Sequence, residues 1–231
     1  MKILAIETAT EACSAAVYND GEITARFEFA PREHTQLILP MLDDVLEDAG
    51  VTREELDAIA FGCGPGAFTG LRIAVGIAQG LGLALNKPLI PISTLATMAE
   101  LVLENQPDAE GNYIAALDAR MGEVYWGEYA KQGDELVLIG EEQVSAPEVL
   151  TEYGKPAIVF GSGWEAYQET FLQNPPPWIK GIIREVFPSA YYVAKLAAAA
   201  WLRGETIDAA DAEPVYLRNN VALKKGEQGK T

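Results

Sequence analysis

Apolar and polar positions along this chain fall into two periods, and each predicts a different element. Lys2 to Glu7 is an apolar, β-branched run that predicts a buried strand. A polar turn over Thr8–Ala12 leads to a second strand, Cys13 to Tyr18. Asn19-Asp20-Gly21-Glu22 is a hairpin signal, because Asn, Asp and Gly tolerate left-handed backbone, and a third strand runs from Glu22 to Phe29. The chain is therefore expected to open with a three-stranded antiparallel meander. After Pro31–Thr35 the period changes. Leu37, Ile38, Met41, Leu42, Val45, Leu46 and Ala49 recur at three and four, which predicts an amphipathic helix over 34–48, closed by Gly50. Thr52 with Glu55 forms a capping-box pattern. A strand over 56–61 then meets the turn Gly62-Cys63-Gly64-Pro65-Gly66-Ala67-Phe68-Thr69-Gly70, which opens a helix over 71–85. Lys87-Pro88 ends that helix. A strand over 89–92 and a helix over 95–104, capped by Ser93 or Thr94, complete the first half.

Gln106 to Asn112 is polar, carries Pro and Gly, and shows no apolar period, so it marks a boundary between a first lobe, 1–106, and a second lobe, 107–231. Beyond it the pattern restarts. Strands are expected over 113–117, 123–129 and 136–139, then a short helix over 147–153 and a strand over 156–160. The Gly161-Ser162-Gly163 turn leads to a helix through about Phe171, and an Ala-rich helix spans 189–202. Tyr216 and its neighbours follow, then a basic end with Lys224, Lys225 and Lys230. Ile3-Leu4-Ala5-Ile6-Glu7-Thr8 lies beside Ile114-Ala115-Ala116-Leu117-Asp118-Ala119. The hairpin glycine follows the acidic residue by 14 positions in one case (Gly21) and 15 in the other (Gly133), a weak internal duplication. Two α/β lobes that each open with a meander are the pattern of the ASKHA superfold, that of actin, hexokinase and the Hsp70 ATPase. By that analogy Glu7 and Asp118 would face each other across a cleft, with Thr8, Gly161 and Gly163 beside them.

Charge narrows the functions. Lys and Arg number 17 against 34 Asp and Glu, a net charge of −17, and a surface so acidic repels phosphate backbones. The chain is not expected to be the principal nucleic-acid binder, although membership of a complex that holds nucleic acid stays open. Cys13 and Cys63 make neither a disulfide framework nor a zinc set. The first residues are too short an apolar run for a signal peptide, and the 71–85 helix is shorter than a span, so a cytoplasmic protein without membrane contact is expected.

Candidate chemistry is thin. A phosphotransferase would place glycine in the turn after the first strand, so that backbone N–H groups could wrap phosphates, but Glu7-Thr8-Ala9-Thr10 has none. Gly62 to Gly70 lacks the lysine of a P-loop, and Arg72 stands on the helix rather than in the turn. The evenly spaced Gly62, Gly64 and Gly66 do not fit a dinucleotide fingerprint. One histidine, His34, cannot supply a zinc hydrolase site, and Ser162 lacks the outer glycine of a nucleophile elbow. The helix over 71–85 is informative instead. It is apolar on nearly every face and sets Gly76 and Gly80 four apart, so it must be covered by the 34–48 helix or by a second protein.

Gly64-Pro65-Gly66-Ala67-Phe68-Thr69-Gly70-Leu71-Arg72, Asp118-Ala119-Arg120-Met121-Gly122-Glu123-Val124-Tyr125 and Pro214-Val215-Tyr216-Leu217-Arg218 resemble the TsaB (YeaZ) family, over essentially the whole chain and nearest its gamma-proteobacterial members. The resemblance implies a bacterial factor for N6-threonylcarbamoyladenosine at position 37 of tRNAs that read codons starting with A. It implies a non-catalytic protein that binds the catalytic paralogue TsaD through its first-lobe helices, is joined by the ATPase TsaE, self-associates as a homodimer when alone, and meets tRNA only through the complex. On that reading the partner surface comprises Leu37, Ile38, Met41, Leu42, Val45, Leu71, Arg72, Ala74, Val75, Ala78 and Leu81. The cleft around Glu7, Thr8, Asp118, Gly161 and Gly163 is a vestige of a nucleotide site. In the paralogue a His-x-x-x-His pair and a later Asp ligate a metal. Here Thr94 and Met98 align with the histidines and Phe187-Pro188-Ser189 stands near the aspartate, so neither catalysis, metal nor cofactor is expected. An ATP-dependent phosphotransferase or hydrolase using Glu7, Asp118 and the 161–163 turn is the alternative, and a metallopeptidase is a third.

Overall fold

The structure, a computed structural model, describes residues 1–107, 111–133, 135–171 and 175–218. Lys224, Lys225 and Lys230 lie outside the described residues. Strands β1 (Lys2–Glu7), β2 (Ala12–Asn19) and β3 (Glu22–Phe29) form the expected meander. Helix α1 (His34–Ala49) follows, then β4 (Ala58–Gly64), α2 (Phe68–Leu85), β5 (Leu89–Ser93) and α3 (Thr94–Asn105). The first sheet runs β3-β2-β1-β4-β5, with β1, β4 and β5 parallel and the meander antiparallel.

The second half comprises β6 (Asn112–Arg120), β7 (Glu123–Gln132), β8 (Glu135–Leu138), β9 (Gln143–Ser145), α4 (Glu148–Thr151), β10 (Ala157–Phe160), α5 (Ser162–Ala166), α6 (Gln168–Phe171), β11 (Ile179–Ile183) and α7 (Ala190–Leu202). Its sheet runs β11-β10-β6-β7-β8, and β9 pairs with β7. Read outward from β6, this is the order of the first sheet again, down to the antiparallel meander and two parallel strands. The faint sequence repeat is thus a repeat of topology, and the fold is two-lobed α/β of the ASKHA kind.

Period-2 alternation explains why β1 reads as a continuous apolar run. Leu4 and Ile6 face α1 and α2, whereas Ile3 and Ala5 face α7, so both sides of the strand are covered. The expected division at 106/107 separates the sheets but not the helices. α3 lays Leu95, Met98 and Val102 on the second sheet, while α7, late in the chain, packs Ala190, Val193, Ala194 and Ala197 on the first. Periodicity says that a helix has an apolar face, not which sheet receives it.

Several bounds differ from expectation. β4 continues through Gly62 and Cys63 to Gly64, and the next helix starts at Phe68 rather than Leu71, so most of the glycine-rich turn is regular structure. The helix expected through Phe171 breaks at Tyr167 into α5 and α6. β9 and β11 lacked a clear signal: β9 has three residues, and β11 contains Lys180 and Gly181. Helix α2, at 18 residues and mean hydropathy 1.5, is long and apolar enough to cross a membrane by length and composition. One of its faces instead packs on β4 within the first lobe.

Candidate functional site

The glycine-rich stretch is shaped around the protein's own first turn. Ala67 N donates to Ala9 O (2.7 Å), and Thr8 Oγ1 donates to Gly70 O (2.8 Å). A Cβ on Gly66 or Gly70 would come within 3.0 Å of the backbone of Ala9 or Thr8, so both positions must be bare for the β1–β2 turn to nest against the start of α2. From the other side His34 Nε2 lies 2.8 Å from Thr10 O and 3.2 Å from Ala12 O. Both partners are carbonyls, so Nε2 carries the proton and donates. The histidine is a clamp on the turn.

Glu7 is fully buried behind this turn. Its Oε1 accepts from Ala9 N (2.6 Å), and Oε2 has no partner among the described residues. Burial pushes the carboxyl up to about 7, only partly offset by the backbone donors of Ala9 and Thr8. The same burial raises the nearby Cys63 thiol to about 12, an inert thiol. Two backbone donors here are engaged internally, Ala9 N by Glu7 Oε1 and Ala67 N by Ala9 O.

A cleft of about 700 Å³ does lie between the lobes. It is lined by Thr10, Glu11, Phe68, Asp118, Tyr125, Ser162 and Glu165, but not by Glu7 or Thr8. The expected pairing of Glu7 with Asp118 across it is therefore corrected: Asp118 borders the cleft, whereas Glu7 and Thr8 are walled off by the turn they hold. Asp118 itself is engaged, accepting from Arg120 N (2.8 Å) and pairing with Arg120 Nη1 (2.9 Å). Gly161, at φ +99°, and Gly163 are also corrected. A Cβ on either would press on Ala116 of β6, so they let α5 sit on the sheet rather than admit a ligand.

The chain's last described segment spans the two lobes. Gln79 Nε2 donates to Ala212 O (3.0 Å) and Val215 N to Cys63 O (2.7 Å) on the first lobe. Arg218 then reaches Glu123 Oε2 (2.8 Å from Nε) and the carbonyls of Ala119 and Arg120 (both 3.2 Å) on the second. Tyr216 lies 6.1 Å from Phe68, and the Arg72 guanidinium stacks 3.3 Å over the Phe68 ring. Tyr216, Arg218 and Glu123 fall in the motifs that carried the family resemblance, but spacing alone gave them no role.

The expected partner surface divides in two. Ile38, Met41, Leu42, Val45, Leu71, Ala74, Val75 and Ala78 are buried in the first lobe's own core and cannot present side chains to another molecule in this conformation. Leu37 and Leu81 are half-buried, and Arg72 is exposed. The reason is the period: the residues that made the helices look amphipathic are those the sheet claims. The opposite face of α2 holds Phe68 (59% exposed), Gly76, Ile77, Gly80 and Leu83 (68%), and a Cβ on Gly76 or Gly80 would meet open space. Leu39 of α1, 55% exposed, adds to the accessible apolar side chains.

Thr94 and Met98 are fully buried, and Met98 packs among Leu95, Ala99 and Val102. Among the described residues no three His, Cys, Asp or Glu side chains gather as a metal site would require. A threonine hydroxyl and a buried thioether at these positions are not a metal donor set.

A family model described as TsaD, tRNA N6-adenosine threonylcarbamoyltransferase, matches residues 22–225. The chain is 44% identical to the tRNA threonylcarbamoyladenosine biosynthesis protein TsaB of Escherichia coli, over 97% of this chain and 98% of that one. It is 40% identical to the protein of the same name from Haemophilus influenzae, over 97% of both. Among solved structures, YeaZ from Pseudomonas aeruginosa superposes with a TM-score of 0.84 at 44% identity, covering 94% of this chain and 99% of that one.

Proposed function

The chain belongs to the TsaD family and, within it, to the TsaB proteins, and on that premise we propose that it is a non-catalytic partner of the TsaD catalytic subunit. In that role it supports formation of N6-threonylcarbamoyladenosine at position 37 of tRNAs reading codons that begin with A. One observation carries the reading. Helix α2 is apolar apart from Thr69, Arg72 and Gln79, yet only a third of it is buried in its own lobe, and its outer face sets Gly76, Gly80 and Leu83 at helical spacing. Such a face is a surface for close helix–helix contact, and we assign it to TsaD, with the same face joining two copies of this chain when TsaD is absent. TsaE joins the pair, and tRNA is met through the assembly rather than by this acidic chain.

The turn at 7–10 supports a partner rather than a phosphotransferase, since it carries no glycine and its Ala9 N is spent on the protein's own Glu7. Reconstitution decides the matter. TsaD, TsaE, threonylcarbamoyl-AMP and tRNA should give the modified nucleoside with this chain present and little or none without it. Modification at full rate in its absence, or ATP turnover by this chain alone, would refute the proposal.

A further inference from the structure

The turn between β6 and β7 carries a large apolar side chain where its backbone disfavours one. Arg120 pairs with Glu123, so Met121 and Gly122 form a two-residue hairpin connection, and both have positive φ, 58° and 79°. Such a connection favours Asn, Asp or Gly at its first position, because the left-handed region crowds any larger side chain. Arg120 before it is left-handed as well, at φ 62°. Met121 is nonetheless 84% exposed, so the fold gains no core packing in return. A strained turn that holds an unburied, adaptable apolar side chain points to a contact outside the chain.

Met121 is continuous with the outer face of α2. Arg218, which props the turn through the carbonyls of Ala119 and Arg120, lies 3.5 Å from the Met121 sulfur. The same segment exposes Val215 and Tyr216, and Tyr216 stands beside Phe68, the first residue of α2. A shallow groove of about 450 Å³, lined by Arg72, Gly76, Gln79, Pro214 and Tyr216, joins the segment to the helix. One exposed ridge therefore runs from α2 over the 214–216 segment to the second lobe. Toward α1 the surface changes character, since its exposed residues besides Leu39 include Asp43, Asp44, Glu47 and Asp48.

Size and charge say what covers the ridge. Half the cylinder of an 18-residue helix offers on the order of 400 Å², about half of the roughly 800 Å² that each partner buries in a stable interface. The rest must come from surface beside α2, and the ridge is its apolar continuation. Arg72 sits at the junction. Its contacts among the described residues are with rings, 3.3 Å over Phe68 and 5.9 Å from Tyr216, and none is with a carboxylate. Resting on the assignment of the α2 face to TsaD, we propose that the TsaD surface extends along this ridge into the second lobe. Met121 enters an apolar pocket of TsaD, and Arg72 meets one of its carboxylates. A single partner then grips both lobes and holds them at one angle.

The full chain is titrated with TsaD by calorimetry, and its amide exchange is followed free and bound. Asparagine suits the left-handed position, so Met121→Asn should melt at or above the wild-type temperature. Its affinity for TsaD should nevertheless fall about tenfold, the loss of one anchor. Arg72→Gln, at an exposed helix position, should weaken binding about fivefold and flatten its dependence on salt. Exchange at Met121, Gly122 and Tyr216 should slow when TsaD is added. A wild-type chain that does not bind TsaD would overturn this proposal together with the assignment on which it rests. Wild-type binding that Gly80→Glu abolishes, with Met121→Asn at full affinity and the 119–123 turn exchanging as in the free chain, would overturn the extension alone. Slowing of that turn only when the chain self-associates would give the ridge to a second copy and would equally overturn it.

Discussion

The carboxylate of Glu7 occupies the space that a side chain on Gly62 would need: a Cβ built on Gly62 falls within 3.0 Å of both carboxylate oxygens. A buried acid on β1 and a bare position on β4 are thus one feature, shared by neighbouring parallel strands. It follows that the glycine serves the protein's interior. Gly62→Ala would drive β1 and β4 apart or expel the carboxylate, costing several kcal/mol, about the scale of other overpacked cores. Chemical denaturation measures it.

Glu7 should also make stability depend on pH. Its folded pKa, about 7, lies above the ordinary 4.5, so the folded protein keeps a proton that the unfolded chain releases in that interval. The contribution is fully present below pH 4.5 and is lost as pH rises through 7, on the order of 3 kcal/mol in all. Glu7→Gln cannot ionise. Relative to the wild type it should gain stability by roughly that amount between pH 4.5 and pH 8. A difference between the two that stays constant with pH would contradict the burial argument.

Two glycines on α2 should respond oppositely to the same change. Gly70→Ala forces a methyl into Thr8 O and disturbs the Thr8–Gly70 hydrogen bond, so a loss of more than about 2 kcal/mol is expected. Gly80→Ala meets nothing and replaces a poor helix former, so a gain of about 0.5–1 kcal/mol is expected. Thermal unfolding of the two variants separates a packing glycine from a surface glycine.

The meander, the helices of the first half and the repeat of the lobes were legible because each rests on local period and turn chemistry. Asn19-Asp20-Gly21 named its hairpin and Gly50 closed α1. What sequence could not supply was long-range. Leu71, Ala74, Val75 and Ala78 read as a surface because an all-apolar helix does not announce which stripe the sheet will take. The role of Glu7 was misread because an acid at a strand end looks the same whether it lines a cleft or fills a gap over a glycine 55 positions later. Arg218 stood in a recognised motif, but its reach to Glu123 depends on the path of the chain between lobes.

That path makes its own prediction. Arg218 is mostly buried and bonds Glu123 and two carbonyls of the β6–β7 turn, while Glu123 is partly in water and its share is screened. Arg218→Ala should cost about 1–2 kcal/mol. It should also raise amide exchange in the 119–123 turn and at Val215, leaving β2 and β3 protected. Uniform loss of protection would show that the segment supports the whole fold rather than joining the lobes.

The partner face can be tested only where the protein's own core does not interfere. Val75 is 5% exposed and Ala78 is fully buried, so a glutamate at either position would place an unpaired charge against β4. Lost association with TsaD would then report unfolding. Gly76→Glu and Gly80→Glu put the same charge on the outer face with nothing within 4 Å to clash, and both replace glycine by a better helix former. These variants should melt at or slightly above the wild-type temperature. They should nevertheless fail to co-purify with TsaD and run as monomers in sedimentation, because a carboxylate buried between two close-packed helices costs several kcal/mol. A stable Gly80→Glu protein that still binds TsaD would remove α2 from the interface, whereas failure of both activities in a fully folded variant places the contact on the face that its own lobe leaves open.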